Sequence, residues 1–162
     1  MLGVTVQSDL KMTSHVSNKI EACSRTLFAL KTLKAHGMPQ TELREVFWAT
    51  ALTSLLYAAA GWWGFTLAED RERLSALLRN AQKLFFYPPG GLSISDIVER
   101  DEKKLSKAIA SNPAHSLYHF LPECKQTTHN LRPRAQPFTI PPSLSALHDK
   151  NYIVRMIRPN IY

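Results

Sequence analysis

The sequence predicts an all-α protein: a small antiparallel helical bundle with a short N-terminal strand and a long, irregular, basic C-terminal tail. Through most of the first 122 residues, apolar side chains recur every three or four positions, which is the period of one helix face. Glycine or proline stands at most of the expected helix ends. Six of the ten prolines lie from Pro122 onward, where periodic apolar residues become sparse. We therefore divide the chain into residues 1–12, a helical domain 13–122 and a tail 123–162.

The first two elements follow from simple patterns. Residues 2–6 alternate apolar and β-branched side chains and predict a short strand, although the chain offers this strand no partner. A helix is expected from Thr13 to His36, with Thr13 or Ser14 as its N-cap and Gly37 just past its end. Its buried stripe should consist of Val16, Ile20, Cys23, Leu27 and Leu30.

Two longer helices should complete the centre of the bundle. Pro39 opens a helix over residues 40–60, which is apolar around most of its circumference and should be central. Thr66 and Glu69 have the spacing of a capping box, so a third helix should begin there and end before Pro88. Its inward side chains should be Leu67, Leu74, Leu77, Leu78, Ala81, Leu84 and Phe85.

Three shorter helical pieces are expected in the next thirty or so residues. The first begins at Ser93, the second is capped by Asp101, and the third restarts at Pro113. The last piece carries the apolar residues Leu117, Phe120 and Leu121. The tail beyond Pro122 should be extended.

Charge points to polyanionic partners. Twenty Lys and Arg residues against 13 Asp and Glu give a net charge of +7 and a pI near 9.6. The surplus lies at the two ends, because residues 1–39 hold five basic and two acidic residues and residues 123–162 hold six and two. We expect the nucleic-acid-binding residues to be Lys31 and Lys34 on the first helix and, in the tail, Lys125, Arg132, Arg134, Lys150, Arg155 and Arg158.

A series of short motifs, taken in order, resembles one family. The motifs are Leu2-Gly3-Val4, the helix end Leu27-x-x-Leu30-x-x-Leu33-x-x-x-Gly37, Leu55-Leu56-Tyr57, Trp62-Trp63, Asn80-Ala81-Gln82-Lys83, Pro113-x-x-x-Leu117-x-x-x-Leu121-Pro122 and His129-Asn130-Leu131-Arg132. Each motif is degenerate, and their order makes the pattern specific. The series resembles the thumb region and C-terminal extension of reverse transcriptases from non-LTR (LINE-type, jockey-like) retrotransposons.

The resemblance implies a function without catalysis. Residues 1–12 would be the remnant of the last palm strand, and the chain would be a truncated copy that lacks the palm. In such a polymerase the thumb grips the primer–template, so the partner would be an RNA or DNA backbone. The family's (Tyr/Phe)-x-Asp-Asp turn, which binds magnesium in the parent enzyme, is absent from this sequence. We therefore expect no catalytic residue, no metal and no cofactor in this chain.

The resemblance also suggests a role for an aromatic cluster. Trp62, Trp63 and Phe65 would pack against the missing palm, so the isolated chain should expose them and self-associate non-specifically. From the residues alone, core packing at the end of the second helix is the first interpretation of these three side chains, and packing against the palm is the second.

Other interpretations remain open. His115, His119, Cys124 and His129 are residue types that zinc accepts, but an ordinary helix surface is the favoured explanation and no metal is expected. The uncharged stretch 46–68 (Val46 to Ala68) is long enough for a membrane span, but polar residues dilute it and no membrane partner is expected. A free-standing basic helical nucleic-acid-binding protein is the main rival function. Two cysteines and no secretory signal predict an intracellular location, in the cytoplasm or nucleus.

Overall fold

The computed structural model describes residues 3–123, 138–139 and 141–158. Its regular elements are helical, which confirms the all-α prediction. The chain forms two compact units, residues 1–99 and 100–162, so the boundary differs from the one expected after residue 122. Helix α6 (Ile94–Ser111) runs through this boundary. Asp101 therefore lies inside a helix and does not begin a new one, contrary to expectation.

Helix α1 (Thr13–Ala35) is the first element of the first unit. Val16, Cys23, Leu27 and Leu30 are buried along one face, as the periodicity predicts. Gly37 lies just past the helix, after the C-cap residue His36. Its φ of 91° is the left-handed conformation expected at that position. The expected N-cap is wrong, because neither Thr13 nor Ser14 caps the first turn. The Thr13 hydroxyl donates to the Asp70 carboxylate at 2.8 Å, and the Ser14 amide donates to the Gln7 side-chain oxygen at 3.5 Å.

The expected second helix is interrupted. It begins as α2 (Gln40–Phe47), continues as a π-helical segment (Trp48–Leu52) and returns to α-helix in α3 (Thr53–Leu56). The Thr53 hydroxyl donates to the Trp48 carbonyl at 2.7 Å, which satisfies one backbone acceptor of the widened turn. Ala58 then adopts a left-handed conformation, with φ of 55°, and this breaks the helix before α4 (Ala59–Trp62).

A short 3₁₀ turn (Trp63–Phe65) leads to α5 (Ala68–Lys83), and the expected capping box does not form. The Thr66 hydroxyl donates to the Trp63 carbonyl at 2.7 Å and accepts from Arg71 Nε at 2.8 Å, so it is not available for the helix amides. A reciprocal box instead begins α6. There the Ser93 amide donates to the Asp96 carboxylate at 3.1 Å, and the Asp96 amide donates to the Ser93 hydroxyl at 3.2 Å.

The aromatic cluster is part of the core. Trp62 is 2% exposed and Trp63 6% exposed, and Phe65 is half-buried against the same apolar cluster. The Trp62 ring meets His15 edge-on, with centroids 5.1 Å apart, and its indole N–H donates to the Tyr57 carbonyl at 3.0 Å. The exposed patch expected at Trp62 and Trp63 is therefore wrong, because this chain's own helices cover both rings.

The N-terminal segment is not a strand over its described part, residues 3–6. It is held by a side chain instead, since the Thr5 amide donates to Nδ1 of the buried His15 at 3.2 Å. Burial, with a smaller contribution from Lys19, lowers the pKa of His15. A strand would have required a pairing partner, and this segment finds a helix in its place.

The second unit contains more helix than expected in the tail and less before it. Residues after Pro113 form turns and a single 3₁₀ turn (Tyr118–Phe120), and Phe120 is exposed. The tail forms α7 (Ala146–Asp149) and α8 (Tyr152–Ile157), capped by the Ser145 hydroxyl and the Asn151 side chain. The expectation of an extended tail is therefore wrong over residues 146–157.

Within the described ranges, no helix combines the length and the apolar character that crossing a bilayer requires.

Candidate nucleic-acid interface

Two of the expected lysines lie on one exposed part of α1. Phe28, Lys31 and Lys34 follow one another at three-residue spacing, which makes successive members neighbours on a helix surface. All three side chains are exposed, and the Phe28 side chain is 71% exposed. The C-terminal half of α1 therefore carries two ammonium groups beside an uncovered aromatic ring.

The end of α5 adds a second aromatic ring to this surface. Lys34 Nζ lies 5.3 Å from the centroid of the Phe85 ring and 6.0 Å from that of Phe86. Phe85 was expected to point inward, but it is 56% exposed, and Phe86 is fully buried in its place. The reason is the left-handed backbone of Phe85, with φ of 66°, which turns the chain at the helix end.

Helix α2 contributes a third cationic group. Arg44 Nε donates to the Phe85 carbonyl at 3.0 Å, and Gln40 Nε2 donates to the same oxygen at 2.8 Å. Within the described residues, the two terminal nitrogens of Arg44 make no further contact. We call the resulting set the basic–aromatic surface; its members are Phe28, Lys31, Lys34, Arg44 and Phe85.

The local charge of this surface is positive. Residues 22–41 and 73–95, which supply α1's second half and the α5 turn, contain no Asp or Glu. In the part of the chain that the structure describes, neither Lys31, Lys34 nor Arg44 forms an ion pair. Glu42 and Glu45 belong to α2 as well, but residues one or two positions apart do not face each other on a helix.

The expected tail residues fall into three groups. Lys125, Arg132 and Arg134 lie outside the described residues. Lys150 is exposed, one residue past α7. Arg155 and Arg158 are occupied by carboxylates of their own unit, which makes the expectation of free phosphate-binding groups wrong at these two positions.

The two arginine ion pairs hold the second unit together. Arg155 binds Glu102 with both terminal nitrogens, at 2.7 and 3.2 Å, and the Tyr152 hydroxyl donates to the Glu102 carbonyl. Arg158 binds Asp149 at 2.8 Å and also donates to the Pro141 carbonyl. A hydrogen bond from Ser143, together with the nearby Arg158 charge, lowers the pKa of Asp149, and burial raises the pKa of Tyr152 to about 12.

The residues considered for metal binding do not assemble where they are described. His115 Nδ1 accepts from the Leu117 amide at 3.1 Å, and the His119 ring lies against Phe120. Cys124 and His129 lie outside the described residues. Over residues 3–123, 138–139 and 141–158, no three His, Cys, Asp or Glu side chains are placed to hold a metal ion.

The sequence did not identify Phe28, Arg44 and Phe85 as members of the surface. The absence of acidic residues from segments 22–41 and 73–95 was visible in the sequence and marks both α1 and the α5 turn. Nothing in the local pattern shows that these two segments meet, or that Phe85 faces solvent while its neighbour is buried.

Comparisons of the chain with protein-family models, with curated proteins and with solved structures found no match. The resemblance to non-LTR reverse transcriptases consequently rests on the ordered motifs alone.

Proposed function

We propose that this chain binds the sugar–phosphate backbone of RNA or DNA, without catalysis, as the thumb-like helical part of a LINE-type RNA-directed DNA polymerase. The observation that carries the proposal is the basic–aromatic surface. In it Lys34 lies over the exposed Phe85 ring and Arg44 donates to the Phe85 carbonyl, while Lys31 and Phe28 precede Lys34 on α1 at three-residue spacing. The ordered motifs that resemble the thumb region support the link to that polymerase family.

The chemistry of the surface suits a nucleic-acid backbone. Unpaired ammonium groups such as those of Lys31 and Lys34 bind phosphates as point charges, and a guanidinium such as Arg44 can offer two donors to one phosphate. The two lysine side chains are long and exposed and Arg44 is half-buried, and all three offer charge rather than a fixed pattern of donors for base edges, so they give affinity with little reading of sequence. We therefore expect weak, sequence-independent binding that decreases steeply with salt.

The experiment is a series of binding titrations of the full chain against a fluorescent single-stranded oligonucleotide at several salt concentrations. The double variant Lys31→Ala with Lys34→Ala should weaken binding and flatten the salt dependence by about 0.7 log unit for each phosphate that is no longer neutralised. The matched control is Arg25→Ala with Lys104→Ala, which removes the same charge. Arg25 lies on α1 with its own partner, Glu21, at 3.8 Å.

A third variant tests the tail. Changing Lys125, Arg132 and Arg134 to alanine should have a smaller effect than the double variant if the basic–aromatic surface carries the contact. Equal binding by the wild-type chain, the double variant and the control would overturn the role of the surface. Absence of any salt-dependent binding would overturn the proposal itself.

The non-catalytic part has its own test. Primer extension by the purified chain with magnesium or manganese and deoxynucleotides would contradict it. A free-standing basic nucleic-acid-binding protein is the second candidate, and it would bind the same oligonucleotides. The two are separated by adding the chain to a separately purified fingers–palm fragment of a jockey-like reverse transcriptase. Increased processivity of that fragment favours the polymerase part, and no change favours the free-standing protein.

A further inference from the structure

We propose that the Phe85 ring is a stacking platform for an unpaired nucleobase, so that the basic–aromatic surface binds an unpaired strand through a base as well as through its phosphates. This inference rests on the proposed function and adds a ligand class to the same surface. Three observations carry it: the backbone conformation of Phe85, the exposure of its ring and the two cationic side chains that contact this residue.

The backbone of Phe85 is one that bulky residues rarely adopt. The Phe85 amide donates to the Gln82 carbonyl at 2.9 Å and the Phe86 amide to the Ala81 carbonyl at 3.0 Å, which defines a Schellman motif with Phe85 at its left-handed position. This position is normally glycine, because a side chain is strained there. Phenylalanine at this position is therefore unfavourable for the turn itself.

Burial of the ring offsets only part of this strain. The Phe85 side chain is more than half exposed, whereas the next residue, Phe86, is fully buried and anchors the turn. Gln40 and Arg44 fix the Phe85 carbonyl from α2. The surroundings thus hold a strained residue so that its ring is presented to solvent, which is the arrangement seen where strain serves a site.

The cationic groups place phosphates beside the ring. Lys34 Nζ lies over Phe85 at 5.3 Å, and Arg44 reaches the backbone of the same residue. A strand whose phosphates contact these two groups would bring a base close to the Phe85 ring. Bases in a duplex are already stacked on their neighbours, so only an unpaired base can use the platform.

The test compares three probes: an oligothymidylate of about 12 nucleotides, an abasic strand of the same length and therefore the same phosphate charge, and a blunt duplex, in which the bases are paired. The main variant is Phe85→Gly, which suits the left-handed backbone and removes the ring, and Phe85→Asn is a second variant of the same kind. Phe85→Trp keeps an aromatic face. Phe120→Asn is the matched control, because it removes a phenylalanine of similar exposure from the second unit.

We expect Phe85→Gly and Phe85→Asn to lower affinity for the oligothymidylate about tenfold and to leave affinity for the abasic strand and the duplex unchanged. Phe85→Trp and Phe120→Asn should bind all three probes as the wild type does. The tryptophan fluorescence of Phe85→Gly should match that of the wild type, since Trp62 and Trp63 lie in the core.

The failures are distinguishable. Equal affinity of wild type and Phe85→Gly for the oligothymidylate overturns the stacking platform and leaves the proposed function standing. Failure of the wild type to bind any of the three probes at low salt overturns the proposed function and the platform together. A concentration-dependent dimer that Phe85→Gly abolishes, with oligothymidylate binding unchanged, would assign the ring to contact between two copies of the chain and would also overturn the platform.

Discussion

The C-terminal ends of α1 and α5 have the same backbone hydrogen bonds but different residues at the left-handed position. At α1, Gly37 donates to the Lys34 carbonyl and Met38 to the Leu33 carbonyl, both at 3.1 Å. The corresponding pairs at α5 begin at Phe85 and Phe86. The φ angles are 91° at Gly37 and 66° at Phe85. One Schellman motif thus has the residue that the backbone favours, and the other has a bulky aromatic residue.

The two turns also differ in the residue just after the left-handed position. Met38 is half-buried, whereas Phe86 is fully buried in the apolar cluster of the first unit. Packing of Phe86 can therefore enforce a turn that local preference alone would not form, while the turn at α1 depends on glycine. This leaves position 85 open to a side chain that acts at the surface.

The largest expected effect is the removal of the α5 anchor. Phe86→Ala should lower the free energy of unfolding by about 3–5 kcal/mol, because it empties a fully enclosed space. Met38→Ala removes a half-buried side chain at the equivalent position and should cost about half as much or less. Urea unfolding followed by circular dichroism measures both. Equal effects of the two changes would show that anchoring does not distinguish the motifs.

A smaller effect is expected where glycine carries the turn. Gly37→Ala should destabilise the protein by about 1 kcal/mol, because alanine is strained at positive φ. A Cβ at this position would meet no atom within 4 Å, so steric overlap adds nothing to the backbone effect. The control is Ser24→Ala, an exposed position in the same helix. A Gly37→Ala protein as stable as the wild type would mean that α1 does not need glycine at its end.

The same two turns show which features of the fold a sequence pattern predicts and which it does not. The stripe of α1 and the glycine after it were predicted, because periodicity and helix-end preferences agree there. At α5 the periodicity placed Phe85 inward and took no account of Phe86. Once the backbone turns at a left-handed residue, the helical period no longer says which of two adjacent phenylalanines is buried.

The remaining wrong or missing predictions concern contacts between residues far apart in the chain, which a local sequence pattern does not show. Arg155 looked like a free basic residue until the structure placed it on Glu102, 53 residues away in the chain. For the candidate interface, Lys31 and Lys34 were predicted from the first helix alone. Arg44 joins them through a carbonyl 41 residues away, and no local pattern encodes such a contact.

Loss of the hydrogen bonds from Gln40 and Arg44 to the Phe85 carbonyl should have a modest effect on stability. Arg44→Ala and Gln40→Ala should each lower the free energy of unfolding by about 0.5–1.5 kcal/mol, and the pair by less than their sum because one donor can replace the other. The α1 turn should be unaffected, which hydrogen exchange of the Met38 amide can report. Strict additivity of the two changes would indicate that the donors stabilise α2 independently of the Phe85 turn.

The smallest net change is expected at Phe85 itself. Phe85→Gly relieves about 1–2 kcal/mol of left-handed strain. It also loses roughly 1 kcal/mol from the buried part of the ring and a few tenths from the Lys34 interaction, and it makes the unfolded chain more flexible. These contributions nearly cancel, so stability should stay within about 1 kcal/mol of the wild type.

Phe85→Ala is the variant to compare with Phe85→Gly, because it removes the ring but keeps a side chain that is strained in the left-handed backbone. The difference in unfolding free energy between alanine and glycine at position 85 should match that at position 37, at about 1 kcal/mol in favour of glycine. A match would show that both turns require a left-handed backbone that glycine adopts best. Phenylalanine at position 85 would then have to be explained by something other than the stability of the turn. If alanine is tolerated at position 85 as well as glycine, the turn is not strained, and the ring needs no function to explain it.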